Sequence, residues 1–147
     1  MRILPENIPL PEAHIVALIL GTLLHFFFPW QLNVSHWYFR LIGVILIGLG
    51  IYGALWAAAE AGEMRIASPQ RIVKSGPYAF SRHPMYVSWT LLYFGVMLLL
   101  TSFWLLVLSL PLVVYMHFLE VLKEERELLQ KFGAEYARYK CEVRRYL

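Results

Sequence analysis

Most of the residues able to do chemistry sit in two short stretches, Ser75–Tyr86 and His117–Tyr139. The first holds Tyr78, Arg82, His83 and Tyr86; the second holds His117, Glu120, Glu124 and Glu125. At 100° per residue, His117, Val121, Glu124 and Leu128 share one helical face, while Lys123, Arg126 and Gln130 take the opposite one. Glu124 is then a carboxylate set in an apolar stripe, with Glu125 a quarter turn round. An ionisable group on an inward stripe at a membrane edge marks a functional site by default. An ionised carboxylate accepts hydrogen bonds on two oxygens, which suits an ammonium or a pair of hydroxyls. The rings of Tyr78 and Tyr86 can face a cation, and His83 can donate or accept near neutral pH. Other chemistries are poorly served. Cys141 is the single cysteine and the chain has no Asp, so an internal disulfide is excluded and zinc or two-metal carboxylate sites are disfavoured.

The elements that must carry these residues are apolar. Of 147 residues, 59% are hydrophobic, against about 45–50% in soluble domains. No Asp, Glu, Lys or Arg interrupts Ala13–Phe39, Leu41–Ala59 or Met85–Leu119. About 20 apolar residues make one span. The third run would be roughly 50 Å long as one helix, too long for a hydrocarbon core of about 30 Å. It predicts a tight hairpin turning near Thr101-Ser102. The expected fold is all-α and integral to the membrane: a single domain over 1–147 with about four transmembrane helices, near 13–29, 37–60, 85–100 and 102–132. A short hairpin joins the last two, and the fourth continues out of the bilayer to a glycine stop at Gly133. Pro84 suits the first position of the third helix, and Pro111 is tolerated in the fourth with a kink. The only long polar connection, 61–84, has the character of a functional loop.

With four spans, 12 of the 13 Lys and Arg fall on one side and only Arg40 on the other. The positive-inside rule predicts a multi-pass protein with both termini cytoplasmic. Trp30, Trp37 and Tyr38 would belong to the opposite interfacial belt. The net charge of +3 is then topology and headgroup attraction rather than a nucleic-acid footprint. The flank before the first run is barely basic and no small-residue cleavage site follows Trp30, which argues against a signal peptide.

The ordered motifs GPY (Gly76-Pro77-Tyr78), RHPxY (Arg82 to Tyr86), an uncharged hairpin, then EExxLxxxFGxxYxxY (Glu124 to Tyr139) resemble the membrane methyltransferases typified by isoprenylcysteine carboxyl methyltransferase and phospholipid N-methyltransferase. The likeness covers roughly residues 63–145. It implies S-adenosylmethionine as cofactor, with S-adenosylhomocysteine as product, in a pocket on the cytoplasmic side. It places cofactor contacts on Gln70, Arg71, Ile72, Val73, Tyr78, His83, Pro84, Met85, Tyr86 and Glu124, with Glu63 a weaker candidate. The substrate implied is a lipid or small lipophilic molecule entering from the bilayer. Methyl transfer has a neutral leaving group and needs no acid catalyst, so alignment and a dry pocket are the main demands.

Some positions depart from the pattern. Ser88 stands where most relatives have Gly, the chain lacks the extra N-terminal helices of the prenylcysteine enzymes, and its end lacks the usual Pro. Glu120 stands one turn before Glu124, where carboxyl-methylating relatives tend to have Arg. It would repel a carboxylate and attract an amine, and Glu120 or His117 could take the amine's proton. Arg82 completes the catalytic candidates, as a partner for an anionic group or for Glu124. A lipid reductase using a nicotinamide cofactor is an alternative, although such enzymes lack this RHPxY with a Glu pair. A small transporter or assembly subunit is another, although only His25 and His117 lie deep in the apolar runs.

Overall fold

The computed structural model describes residues 11–33, 37–62 and 71–147. All regular structure among them is helical: α1 (Glu12–Phe27), α2 (Trp37–Ala61), α3 (Pro84–Leu100), α4 (Phe103–Tyr115), α5 (Leu122–Phe132) and α6 (Ala134–Glu142). A single 3-10 turn, Gly76–Ala79, precedes α3, and a π-helical turn, Met116–Val121, joins α4 to α5. Phe103–Phe132 is thereby one continuous rod of 30 residues.

Small residues set the packing of α2 on α3. Gly43, Gly50 and Ala57 recur every seventh position and are buried. A β-carbon on Gly43 would fall 2.8 Å from the Gly95 carbonyl, and one on Gly50 would fall 2.7 Å from that of Ser88. The two backbones approach closely because nothing projects between them, the usual solution for helices in lipid. Ser88 keeps the contact: it is buried, and its hydroxyl turns back to donate to the Pro84 carbonyl at 2.8 Å.

Pro84 occupies the first turn of α3, where its missing N–H costs nothing. The chain reverses at Thr101, whose φ of 49° is left-handed, and Ser102 caps α4 by accepting from the Leu105 amide at 3.4 Å. Tyr93 donates across the hairpin to the Leu105 carbonyl at 2.8 Å. The segment after α1 docks on this turn, through Leu32 N–H to the Thr101 carbonyl at 2.8 Å and Phe103 N–H to the Trp30 carbonyl at 3.0 Å. Trp30, Phe103 and Trp104 stack around the junction. Tyr93, Met97, Leu105, Leu112 and Met116 form the buried core.

The outward faces are apolar as well. Val16, Leu55 and Leu110 are 62%, 65% and 73% exposed, with many neighbours alike. Soluble monomers do not present so continuous an apolar surface, so this is a membrane protein. Trp37–Ala61 and Phe103–Phe132 are each long and apolar enough to cross a bilayer, while α1 and α3 are apolar but shorter.

The helical phase expected across His117–Leu128 is corrected by the π turn. A π turn spends an extra residue per turn, so the inward position anticipated for Glu124 is taken by Glu125. Glu125 is buried at 3% exposure, whereas the Glu124 side chain is 35% exposed. Beyond Gly133, whose φ of 50° turns the chain, α6 packs back. The tail then returns to the loop before α3: Arg82 N–H donates to the Arg144 carbonyl at 2.9 Å, and the Ser81 hydroxyl to that of Arg145 at 3.3 Å.

Candidate functional site

Glu125 is the hub of the charged cluster. Arg145 forks onto it, Nε to Oε1 at 2.8 Å and Nη2 to Oε2 at 3.0 Å. Arg82 Nη1 lies 3.1 Å from Oε1, His83 Nε2 3.4 Å from Oε1, and Lys140 Nζ 3.6 Å from Oε2. Burial alone would raise the Glu125 pKa. Hydrogen bonds from His83 and Arg145 and the charges of Arg82 and Arg145 overcome it and hold the carboxyl well below its usual range. This cluster ties α5, the RHP segment and the tail into one unit. The bidentate fork comes from Arg145, whose side chain is partly exposed, and it gives the buried carboxylate a defined geometry.

Glu124 points to the neighbouring space with one oxygen 3.5 Å from His83 Nδ1. It acts electrostatically on both Tyr78 and Tyr86. Burial first, then the Glu124 charge, push the Tyr78 phenol up to about 12. His83 spans the two carboxylates. Burial opposes its charge, but hydrogen bonds with Glu124 and Glu125 carry its pKa above the ordinary histidine value. The His83 and Tyr86 rings lie 5.7 Å apart.

The fold therefore brings together Tyr78, His83, Tyr86 and Glu124. Pro84 and Met85 are buried beside them in the first turn of α3. Arg71 is exposed, and Ile72 and Val73 are half-buried in the approach to the 3-10 turn. Gln70 and Glu63 lie outside the described residues. Arg82, expected near substrate, has its side chain 8% exposed and paired with Glu125 rather than Glu124. Glu120 accepts from the Tyr115 hydroxyl at 3.0 Å and lies within electrostatic reach of Tyr86.

Sequence reasoning placed Glu125, Tyr136 and Tyr139 in its motif without giving them a site role, and passed over Arg145 and Tyr146. Tyr139 donates to the Tyr78 carbonyl at 2.7 Å, and Tyr136 is 1% exposed on the same face. Their i, i+3 spacing after Gly133 was the available signal. Lys74 adds a bridge to Glu135 at 2.9 Å, and Ser75 donates to Glu60 at the end of α2. The loop before α3 is thus fastened to both neighbours.

A cavity of about 380 Å³ opens between α1, α3 and the α4–π rod. Its walls are largely apolar, and Tyr86 and His117 stand at its polar end with Tyr146 from the tail. His14 and Thr90 also line it, joined at 3.1 Å. Tyr86 is common to the cavity and the Glu124 cluster. Among the described residues no group of His, Cys, Asp or Glu could hold a metal ion.

Fold and site together define a small helical membrane protein whose ion-clamped polar site adjoins a largely apolar cavity of about 380 Å³. Residues 38–135 match the family model described as phospholipid methyltransferase, and the chain belongs to that family. It is also 31% identical over 116 residues to the protein-S-isoprenylcysteine O-methyltransferase of Saccharomyces cerevisiae, an alignment covering 70% of this chain and 46% of that protein. The chain spans under half the length of this relative.

Proposed function

We propose that the protein transfers a methyl group from S-adenosylmethionine to the head group of a lipophilic acceptor whose tail occupies the cavity. The observation that carries this is the sharing of Tyr86 between the Glu124 cluster and the cavity. In-line transfer requires donor and acceptor within about 3–3.5 Å, and one residue facing both spaces marks where they meet. The cofactor would supply an electrophilic methyl on sulfur. Glu124, partly exposed and already met by His83 and Tyr86, would accept further from its ammonium or ribose hydroxyls, and Tyr78 and Tyr86 would face its positive charge. His83, fixed between two carboxylates, would hold Glu124 in place. Arg71, Ile72, Val73 and Gln70 would extend the pocket along the loop. We assign Arg82 to the scaffold, since Glu125 already takes its charge.

The acceptor is an amine in preference to a carboxylate. Glu120 stands near Tyr86, and a unit charge at 4 Å is worth about 4 kcal/mol at an effective dielectric of 20, before discounting for solvent. The yeast relative is by its name an O-methyltransferase, so the two acceptor classes are the natural contrast. We further propose that all four apolar helices cross the membrane with both termini cytoplasmic. The deciding experiment is a labelled-methyl assay on detergent-purified protein with ethanolamine lipids and prenylcysteine acids, beside titrations with S-adenosylhomocysteine and nicotinamide dinucleotides. Binding of S-adenosylhomocysteine and methylation of the amine are expected. Binding of the dinucleotide alone would refute methyl transfer, and methylation of acids alone would refute the amine.

A further inference from the structure

His117 sits in the π turn and lines the apolar cavity with Tyr86 and Tyr146. Its Nδ1 is 2.7 Å from the Tyr146 hydroxyl, a short polar contact in a wall otherwise mostly hydrocarbon. The tail presenting Tyr146 is fixed just before that residue. The Arg144 carbonyl accepts from the Arg82 amide, and Arg145 forks onto Glu125. Tyr146 is thus held against His117 by backbone and ion pairs that need nothing from its own hydroxyl. The titratable groups around His117 are Tyr146 from the tail, Tyr86 from α3, His14 from α1 and Glu120 on its own turn. His83 lies beside Tyr146 with ring centroids 6.4 Å apart. π turns are frequent at functional sites, and here one places an imidazole in the cavity wall.

We propose that Tyr146 is a positioning residue that holds His117 as proton acceptor for the methyl acceptor's head group. This rests on the methyl-transfer reading and adds to it the group that orients the base. With Nδ1–H donating to the phenol oxygen, the lone pair is left on Nε2. An ammonium head group first passes one proton to Nε2 of His117, and the freed nitrogen lone pair forms the N–CH3 bond as the C–S bond of a sulfonium donor breaks. Sulfur keeps that electron pair and leaves as a neutral thioether. The product leaves as the methylated ammonium, and His117 returns its proton to solvent.

Tyr146→Phe removes the hydroxyl and keeps the ring, so packing is preserved. Nitrogen NMR of ring-labelled histidine, in the protein without cofactor, should show His117 as the Nδ1–H tautomer in the wild type and as a mixture in Tyr146→Phe. A wild type in the Nε2–H tautomer overturns the proposal. In turnover, Tyr146→Phe should lose about 10- to 100-fold in kcat, less than the ~10²–10⁴-fold carried by a general base itself. KM and the affinity for S-adenosylhomocysteine should stay within about twofold. The acid limb of the pH–rate profile should move in Tyr146→Phe and vanish in His117→Gln. Unchanged kcat and an unmoved limb in Tyr146→Phe would also overturn it. Failure of the wild type to bind S-adenosylhomocysteine brings down the methyl-transfer reading and this proposal with it. Normal binding with the wrong tautomer brings down this proposal alone.

Discussion

Glu124 and Glu125 are neighbours in the chain and carry opposite duties. Glu125 is closed in by Arg82, Arg145, His83 and Lys140, while Glu124 is partly exposed and meets His83 and Tyr86. Glu124→Gln should therefore weaken S-adenosylhomocysteine binding by about 10- to 150-fold, the equivalent of one charged hydrogen bond of roughly 1.5–3 kcal/mol, with little change in Tm. Glu125→Gln should do the reverse. It leaves buried cations uncompensated and costs about 3–5 kcal/mol of stability, readable as a lowered Tm in detergent. Equal binding losses in the two variants would remove the distinction. His83 makes the same network sensitive to pH. Its folded pKa is raised above 6.5, so its stabilisation is complete below that value and is lost as pH rises through the folded-state pKa. The Tm advantage of wild type over His83→Gln should accordingly shrink from pH 6 towards pH 9, and a constant advantage would contradict the ion pairing. The residue types at the site could be read from Ser75–Tyr86 and Glu124–Tyr139. Which glutamate is buried could not, because Arg145 reaches Glu125 across 20 residues of chain and a π turn leaves no compositional mark.

At the scale of elements, the closest join is between α2 and α3. Gly50→Leu would drive a side chain into the Ser88 carbonyl, 2.7 Å from the new β-carbon. Backbone cannot swing aside as a side-chain tip can, so the cost should reach at least the upper end of the 1–3 kcal/mol usual for overpacking. Gly48→Leu, where a β-carbon meets nothing within 4 Å, should change Tm little and serves as the control. Similar losses in both would mean that α2 does not pack on α3 through this stripe. Much at this scale is written locally: Pro84 opens α3, Thr101-Ser102 turns the hairpin, and Gly133 ends α5. Each is a one-residue signal with a steric cause. The seven-residue spacing of Gly43, Gly50 and Ala57 is written there too, but it acquires meaning only once α3 is known to be the partner. The pairing of α1 with α4 through Gly21 against Leu105 is likewise a property of the fold, invisible in either segment alone.

For the whole molecule, the partition of 12 basic residues against Arg40 makes orientation testable. With Cys141→Ser as background, a cysteine at position 35 should react with an impermeant reagent from outside, and cysteines at 68 or after Gly133 should not. Reversed accessibility would invert the topology. The loops in question include residues 34–36 and 63–70, which lie outside the described structure, so charge alone supports the expectation. Helix length has a further consequence. At 1.5 Å per residue, α1 with 16 residues and α3 with 17 reach only about 24–26 Å, short of a hydrocarbon core of about 30 Å. If α1 and α3 cross the bilayer as we propose, helices shorter than their solvent is thick favour drawing the leaflets together around them. The protein would then carry a collar of thinned bilayer, with the polar end of its cavity lowered towards the headgroups. Methyl transfer in vesicles of graded acyl length should peak in the thinner ones and fall as the chains lengthen.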